Sequence, residues 1–142
     1  MNAKKLSFLL LILVAVACTN RSTSSEQDEM RHWNNVLQQI NALLLENKAR
    51  QTLDLAKQTL PEILESAEKN GTTDTLIYYA RKIFNACGNN YINTKQYKDG
   101  IDYMDSIGNH PLIREHCPHE LLSFKAGLNQ LRSEEHTSEL QS

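Results

Sequence analysis

Across Met30 to Leu131, large apolar residues recur three or four positions apart, and this spacing constrains the chain more than any other feature. Met30, Trp33, Leu37, Ile40 and Leu44 follow at intervals of 3, 4, 3 and 4. Ala49, Leu53, Ala56, Leu60, Ile63 and Ala67 continue the pattern through Pro61 without a phase break. Steps of three and four place side chains on one stripe of an α-helix, whereas a strand needs alternation with period two, which no segment sustains. The spacing predicts an all-α fold.

The breaks between stripes carry turn chemistry. Asn47 suits a turn between the first two helices, and Gly71 after Asn70 suits a positive-φ end to the second. Thr72 or Asp74 offers a cap for a third helix with Leu76, Tyr79, Ala80, Ile83, Phe84, Cys87 and Tyr91 inward, closed by Asn93 and Thr94. A short fourth helix is expected from about Gln96 to Ser106, with Tyr97, Ile101 and Met104 inward and Gly108-Asn109-His110-Pro111 as its stop. Pro118 suits the first turn of a fifth, whose Leu121, Phe124, Leu128 and Leu131 again keep helical spacing.

Two antiparallel helix pairs invite comparison with the tetratricopeptide consensus of Trp, Leu, Gly, Tyr, Ala, Phe, Ala and Pro at fixed offsets. Trp33, Val36, Leu37 and Ile40 occupy the first four of these positions, and Ala49, Leu53, Ala56 and Pro61 the rest. A second unit aligns Phe84, Cys87, Gly88 and Tyr91 with the first helix and Gly100, Met104 and Ile107 with the second, Pro111 falling one place early. Glycines Gly88 and Gly100 would let paired helices approach closely, with Phe84 and Tyr91 filling the gap. The chain thus resembles the tetratricopeptide family over about Met30 to Leu131. It departs in its interval, since Trp33 to Phe84 spans 51 residues, with 64–80 as the excess over a period of about 34. The resemblance implies an α-solenoid fragment of helical hairpins.

At the amino end Lys4 and Lys5 precede a run from Leu6 to Ala17 that is apolar except for Ser7. That is too short to span a bilayer, which takes about 20 apolar residues, and has the form of a signal peptide over 1–17. Ala15-Val16-Ala17-Cys18 resembles the lipobox of a bacterial lipoprotein, with alanine where leucine is commoner. The resemblance implies acylation of Cys18. An ordinary secretory cleavage would leave Cys18 free, and either route exports the chain. Residues 18–28, rich in Ser and Thr, read as a flexible tether, so the domain is expected to start near Glu29.

At the other end Arg132 to Ser142 reads RSEEHTSELQS, which matches a translated sequencing-library adapter at all eleven positions. The expectation is that 132–142 is not native and that 29–131 is a truncated repeat domain, whose natural sequence runs on past Leu131.

In the family, the first helix of each pair lines a concave surface that holds an extended peptide or a partner protein. The matching positions here are Asn34, Gln38 and Asn41 in the first unit and Lys82, Asn85, Asn89 and Asn93 in the second. Amide side chains can both donate to and accept from a peptide backbone, and Lys82 can meet a carboxylate. Their alternative is a solvated helix face. Asparagine is nonetheless a poor residue for a merely solvated helix, and Asn85, Asn89, Asn90 and Asn93 fall within nine positions.

Other functions find little in the residues. A net charge of -2, with lysines and arginines scattered, supplies no surface for nucleic acid. No phosphate loop, nucleophile elbow or HExxH helix is present, so the segment is read as non-catalytic and without cofactor. Export would permit a disulfide between Cys87 and Cys117, whereas the packing position of Cys87 favours a buried thiol. His116-Cys117-Pro118-His119, with His110 nearby, lacks the spacing of a metal site and reads as a polar loop. The expected function is an exported, lipid-anchored helical-repeat scaffold of Bacteroidetes type, held to the periplasmic side of a membrane or the outer membrane, that binds a protein or peptide. The alternative is the extracytoplasmic sensor segment of a longer histidine kinase or transcriptional regulator. A helical nutrient-binding lipoprotein ranks below both, because no aromatic cluster suits a sugar.

Overall fold

A computed structural model describes residues 25–141, and among these the chain is all-helical, with no strand. Six helices follow in order: α1 over 25–45, α2 Ala49–Asn70, α3 Asp74–Asn93, α4 Tyr97–Ile107, α5 Pro111–His116 and α6 Pro118–Gln141. The chain divides into two compact units, Met1–Asn35 and Val36–Ser142.

In the first unit helix α1 already covers 25–28, the last positions of the segment read as a tether. Arg31 pairs with Asp28 at 3.2 Å one turn apart. Trp33 is buried, its Nε1 donating to Glu29 Oε1 at 3.4 Å. The signal peptide, Cys18 and the rest of the tether lie outside the described residues.

The second unit is organised around α3, which packs against α2, α4, α5 and α6. This explains why α3 is apolar on more than one side: Leu76, Ala80, Ile83, Phe84, Cys87 and Tyr91 are buried, as their spacing predicts, whereas Tyr79 of the same predicted set is only half-buried. Helix α2 gives it one long face through Leu53, Ala56, Leu60, Ile63 and Ala67, and runs through the exposed Pro61. Two threonines share that face. Thr52 and Thr59 donate their hydroxyls to the carbonyls of Lys48 and Leu55 at 3.0 and 2.8 Å, which satisfies them in the core.

The helix ends follow the turn chemistry with two adjustments. Gly71 takes a φ of 89°, but its ψ of 153° carries it out of the left-handed helical region. The cap of α3 is Thr73 rather than Thr72 or Asp74, its hydroxyl accepting from Leu76 N at 3.2 Å. A helix that the spacing did not predict, α5, follows the Gly108-to-Pro111 turn. His110 Nδ1 accepts from Leu112 N at 3.2 Å, Pro111 sits at the first turn, and Leu112 and Ile113 enter the core.

The α1–α2 and α3–α4 turns repeat one another bond for bond. Asn47 and Lys95 take φ values of 56° and 57°. Lys48 N donates to Leu43 O at 2.9 Å, as Gln96 N does to Tyr91 O at 3.0 Å, while Asn47 N and Lys95 N each reach back three residues at 3.0 Å. The six-to-one bond closing over a left-handed residue is a Schellman-type helix end. The turns are offset by 48 residues, not the 51 of the sequence alignment. Val36 therefore matches Phe84, Ile40 matches Gly88, and Leu43 matches Tyr91.

Helix α6 docks through Leu121, Phe124 and Leu128, the stripe its sequence predicts. A Cβ on Gly88 would lie 2.5 Å from the Phe124 ring, and one on Gly100 would lie 3.0 Å from both Leu128 and Tyr91 Cβ. Gly100 thus does bring α3 and α4 together, whereas Gly88 makes room for α6 rather than for its own partner helix. Phe84 meets Phe124 edge to face, with centroids 5.8 Å apart and planes at 81°. Beyond Arg132, α6 continues through the adapter-like segment with the side chains of 133–140 exposed.

Candidate functional site

Within the second unit the carboxyl half of α1 and the middle of α3 line a cleft of about 190 Å³. Four of the seven residues expected to face a ligand meet there: Asn41 from α1, and Lys82, Asn85 and Asn89 from α3. The α3 residues stand three and four apart, so one helix stripe carries all of them. Gln38 and Asn93 are exposed and do not line the cleft, and Asn34 is an exposed residue of the first unit.

The spacing alone places the cleft's apolar wall in the core. In the structure Leu37, Ile40 and Leu44 line the cleft with Ala86, and Leu44 is 40% exposed, so the first stripe does not end in a closed interior. Lys82 Nζ also stands 5.6 Å over the ring of the exposed Tyr78, which is not part of the cleft.

One lining residue was missed as a site. Asn90 is fully buried, its Nδ2 donating to Ala86 O at 2.8 Å, and its Oδ1 has no hydrogen-bond partner among the described residues. The asparagine run around it was visible in the sequence. Its burial was not, because that depends on which side of α3 the neighbouring helices cover.

The other candidates lie apart from the cleft. Cys87 and Cys117 are both buried free thiols, so the disulfide considered between them is not formed. Burial pushes the Cys87 thiol up to about 12, and burial likewise raises Cys117. Cys87 Sγ lies 3.9 Å from Tyr103 Oη, while Lys57 Nζ stands 5.6 and 5.9 Å over the rings of Tyr91 and Tyr103. These contacts tie α2, α3 and α4 together. His110 caps α5 with Nδ1 and contacts Glu68 Oε1 through Nε2 at 3.0 Å, and the His116 carbonyl accepts from Arg81. Among the described residues no three His, Cys, Asp or Glu side chains gather as a metal site, and no helix is long and apolar enough to cross a membrane.

No family model, curated protein or solved structure matches the chain, so the cleft is read from its own chemistry.

Proposed function

We propose that the protein is an exported, lipid-anchored scaffold of tetratricopeptide-like helical hairpins whose α1–α3 cleft binds an extended segment of a partner protein. The observation that carries this reading is the convergence of Asn41, Lys82, Asn85 and Asn89 on one cleft with an aliphatic wall. Amides arrayed along a helix can pair with the alternating N–H and C=O groups of a peptide, and leucine and isoleucine beside them bury its side chains. The matched turns at Asn47 and Lys95 support the hairpin repeat, and the lipobox-like ending at Cys18 supports the anchor.

The binding test is selection of displayed peptides on the full chain, followed by fluorescence anisotropy with the selected peptides. Asn85→Ala and Lys82→Glu are expected to weaken them at least tenfold. Failure to enrich any peptide over a bare support, or wild-type affinity in both variants, overturns the reading. For the anchor, intact mass and membrane fractionation of Cys18→Ala are expected to show loss of lipid and release from the membrane. A wild-type chain without lipid refutes acylation.

A further inference from the structure

We propose that the Asn70-Gly71 pair at the end of α2 is a site of self-modification: the backbone nitrogen of Gly71 closes on the Asn70 side chain to form a succinimide, and water opens the ring to isoaspartate, which loosens the α2–α3 hairpin. This site is independent of the cleft and its occupant.

The reaction needs an amide side chain followed by a residue whose backbone nitrogen can reach it. A Cβ on that following residue crowds the attack, and glycine has none. Of the chain's asparagines only Asn70 precedes a glycine. As Gly71 N attacks, its proton passes to solvent base and the bond to Asn70 Cγ forms, while the Cγ–Nδ2 bond breaks and Nδ2 leaves as ammonia with a proton from water. Water then adds to one of the two ring carbonyls. Opening at Cγ gives aspartate, and opening at the backbone carbonyl gives isoaspartate, in which the main chain runs through the side-chain carbon.

The structure leaves this pair free to react. Residues 70–75 are all exposed, and a Cβ on Gly71 would have nothing within 4 Å. Gly71 follows the last residue of α2, yet its N–H has no backbone acceptor among the described residues, whereas Gly108 N, at the end of α4, donates to Met104 O at 3.0 Å. The attacking nitrogen is thus not committed to the helix. Because Asn70 ends α2, turning about its ψ swings only the exposed turn and leaves the ladder before it intact. Its amide is restrained by a bond from Nδ2 to Ser66 Oγ at 3.2 Å, exposed to water that can replace it. The other pair able to close the same ring, Asp99-Gly100, is held: it lies in the first turn of α4, Gly100 N donates to Gln96 O at 2.9 Å, and Gly100 is packed against Leu128 and Tyr91.

The product matters because the turn is short. Ala67 of α2 and Leu76 of α3 are both buried, and between them Thr73 Oγ1 caps α3 at Leu76 N. Isoaspartate adds a carbon to the main chain within that span and places a carboxylate at the carboxyl end of α2, where the helix dipole is already negative.

The test ages the full wild-type chain in mildly alkaline buffer, with and without urea, and locates isoaspartate by peptide mapping and by labelling with an isoaspartyl methyltransferase. In the folded chain isoaspartate is expected at position 70 at least tenfold faster than at any other asparagine, and within tenfold of its own rate in urea. At Asp99 folding is expected to slow the reaction at least tenfold. Gly71→Ala should slow position 70 at least tenfold, and Asn70→Gln, whose longer side chain would need a larger ring, should abolish the product. Aged wild type should unfold at lower urea than fresh protein, a drift that Asn70→Gln should lack. Aspartate without isoaspartate at position 70, faster reaction at another asparagine, an unchanged rate in Gly71→Ala, or suppression of position 70 by folding as strong as at Asp99 overturns the site. A chain rich in isoaspartate at position 70 that unfolds together with the fresh one overturns the loosening.

Discussion

Substituting Gly88 by alanine sets two effects of opposite sign against each other, and the structure decides between them. In an exposed helix interior glycine to alanine gains about 1 kcal/mol through backbone entropy. At Gly88 the new methyl would lie 2.5 Å from three carbons of the Phe124 ring. Ordinary contact begins near 3.4 Å, so the ring would have to retreat by roughly an ångström, loosening its edge-to-face contact with the fully buried Phe84. Overpacking of this kind costs about 1–3 kcal/mol, so Gly88→Ala is expected to destabilise by about 1 kcal/mol net. The sign should reverse once the ring is removed: in a Phe124→Ala background, Gly88→Ala should stabilise by up to about 1 kcal/mol, a coupling of roughly 2 kcal/mol. Gly127, with nothing within 4 Å of its would-be Cβ, is the internal control, and Gly127→Ala should gain the propensity term alone. Urea unfolding followed by helical circular dichroism measures all four variants. If Gly88→Ala stabilises the chain with Phe124 present, or shifts it equally in both backgrounds, α6 does not dock over Gly88.

Other consequences are open to the same assay. Because burial holds the Cys87 thiol near 12 while an unfolded thiol ionises near ~8.5, the unfolded chain releases this proton first. Stability should therefore be full below about pH 8.5 and fall above it by up to ~1.4 kcal/mol per pH unit until the folded thiol also ionises. Cys87→Ala should make the decline shallower, and an unchanged slope would refute the burial. Lys95, at a φ of 57°, holds a conformation costing a non-glycine residue about 1–2 kcal/mol, so Lys95→Gly should stabilise by about 0.5–1 kcal/mol after glycine's larger unfolded entropy is counted. Asn47→Gly should gain less, because asparagine tolerates this region, and the reverse order would show that the two turns are not equivalent. Thr73→Ala removes the hydroxyl that caps Leu76 N and should cost about 1 kcal/mol; no change would mean that another group or water replaces it.

Most of the helices were legible in the sequence because their stripes are long, and five or six apolar positions in step with a helical turn rarely fall together by chance. Legibility ended where the deciding interaction was not local. Helix α5 has only six residues, too few for a period to show, and Pro111 reads equally well as the end of one helix and the start of the next. What settles the matter is burial of Leu112 and Ile113, at 3% and 0% exposure, a tertiary fact. The repeat interval failed for a related reason. Trp33 drew the alignment because it is the chain's one tryptophan, yet the backbone equates Asn47 with Lys95, and lysine carries no sequence signal for a positive φ. In the cleft, the polar stripe was readable from asparagine's poor helix propensity, whereas its aliphatic wall was hidden by the rule that a periodic leucine belongs to a core.

The geometry of α3 explains how one helix serves both packing and binding. Successive residues turn by about 100°, so Phe84, Gly88 and Tyr91, which face the packed helices, lie one to three positions from Lys82, Asn85 and Asn89, which line the cleft. Positions two apart, such as Lys82 and Phe84, point to nearly opposite sides, and Asn90 lies between the two stripes, buried with the first and lining the cleft with the second. The cleft side of α3 is thus positioned by contacts on its far side: Phe124 over Gly88, and Tyr91 under Lys57 and beside Tyr103. A substitution at Gly88 or Phe124 should then reach the cleft only by displacing α3 as a body, altering affinity for every ligand together.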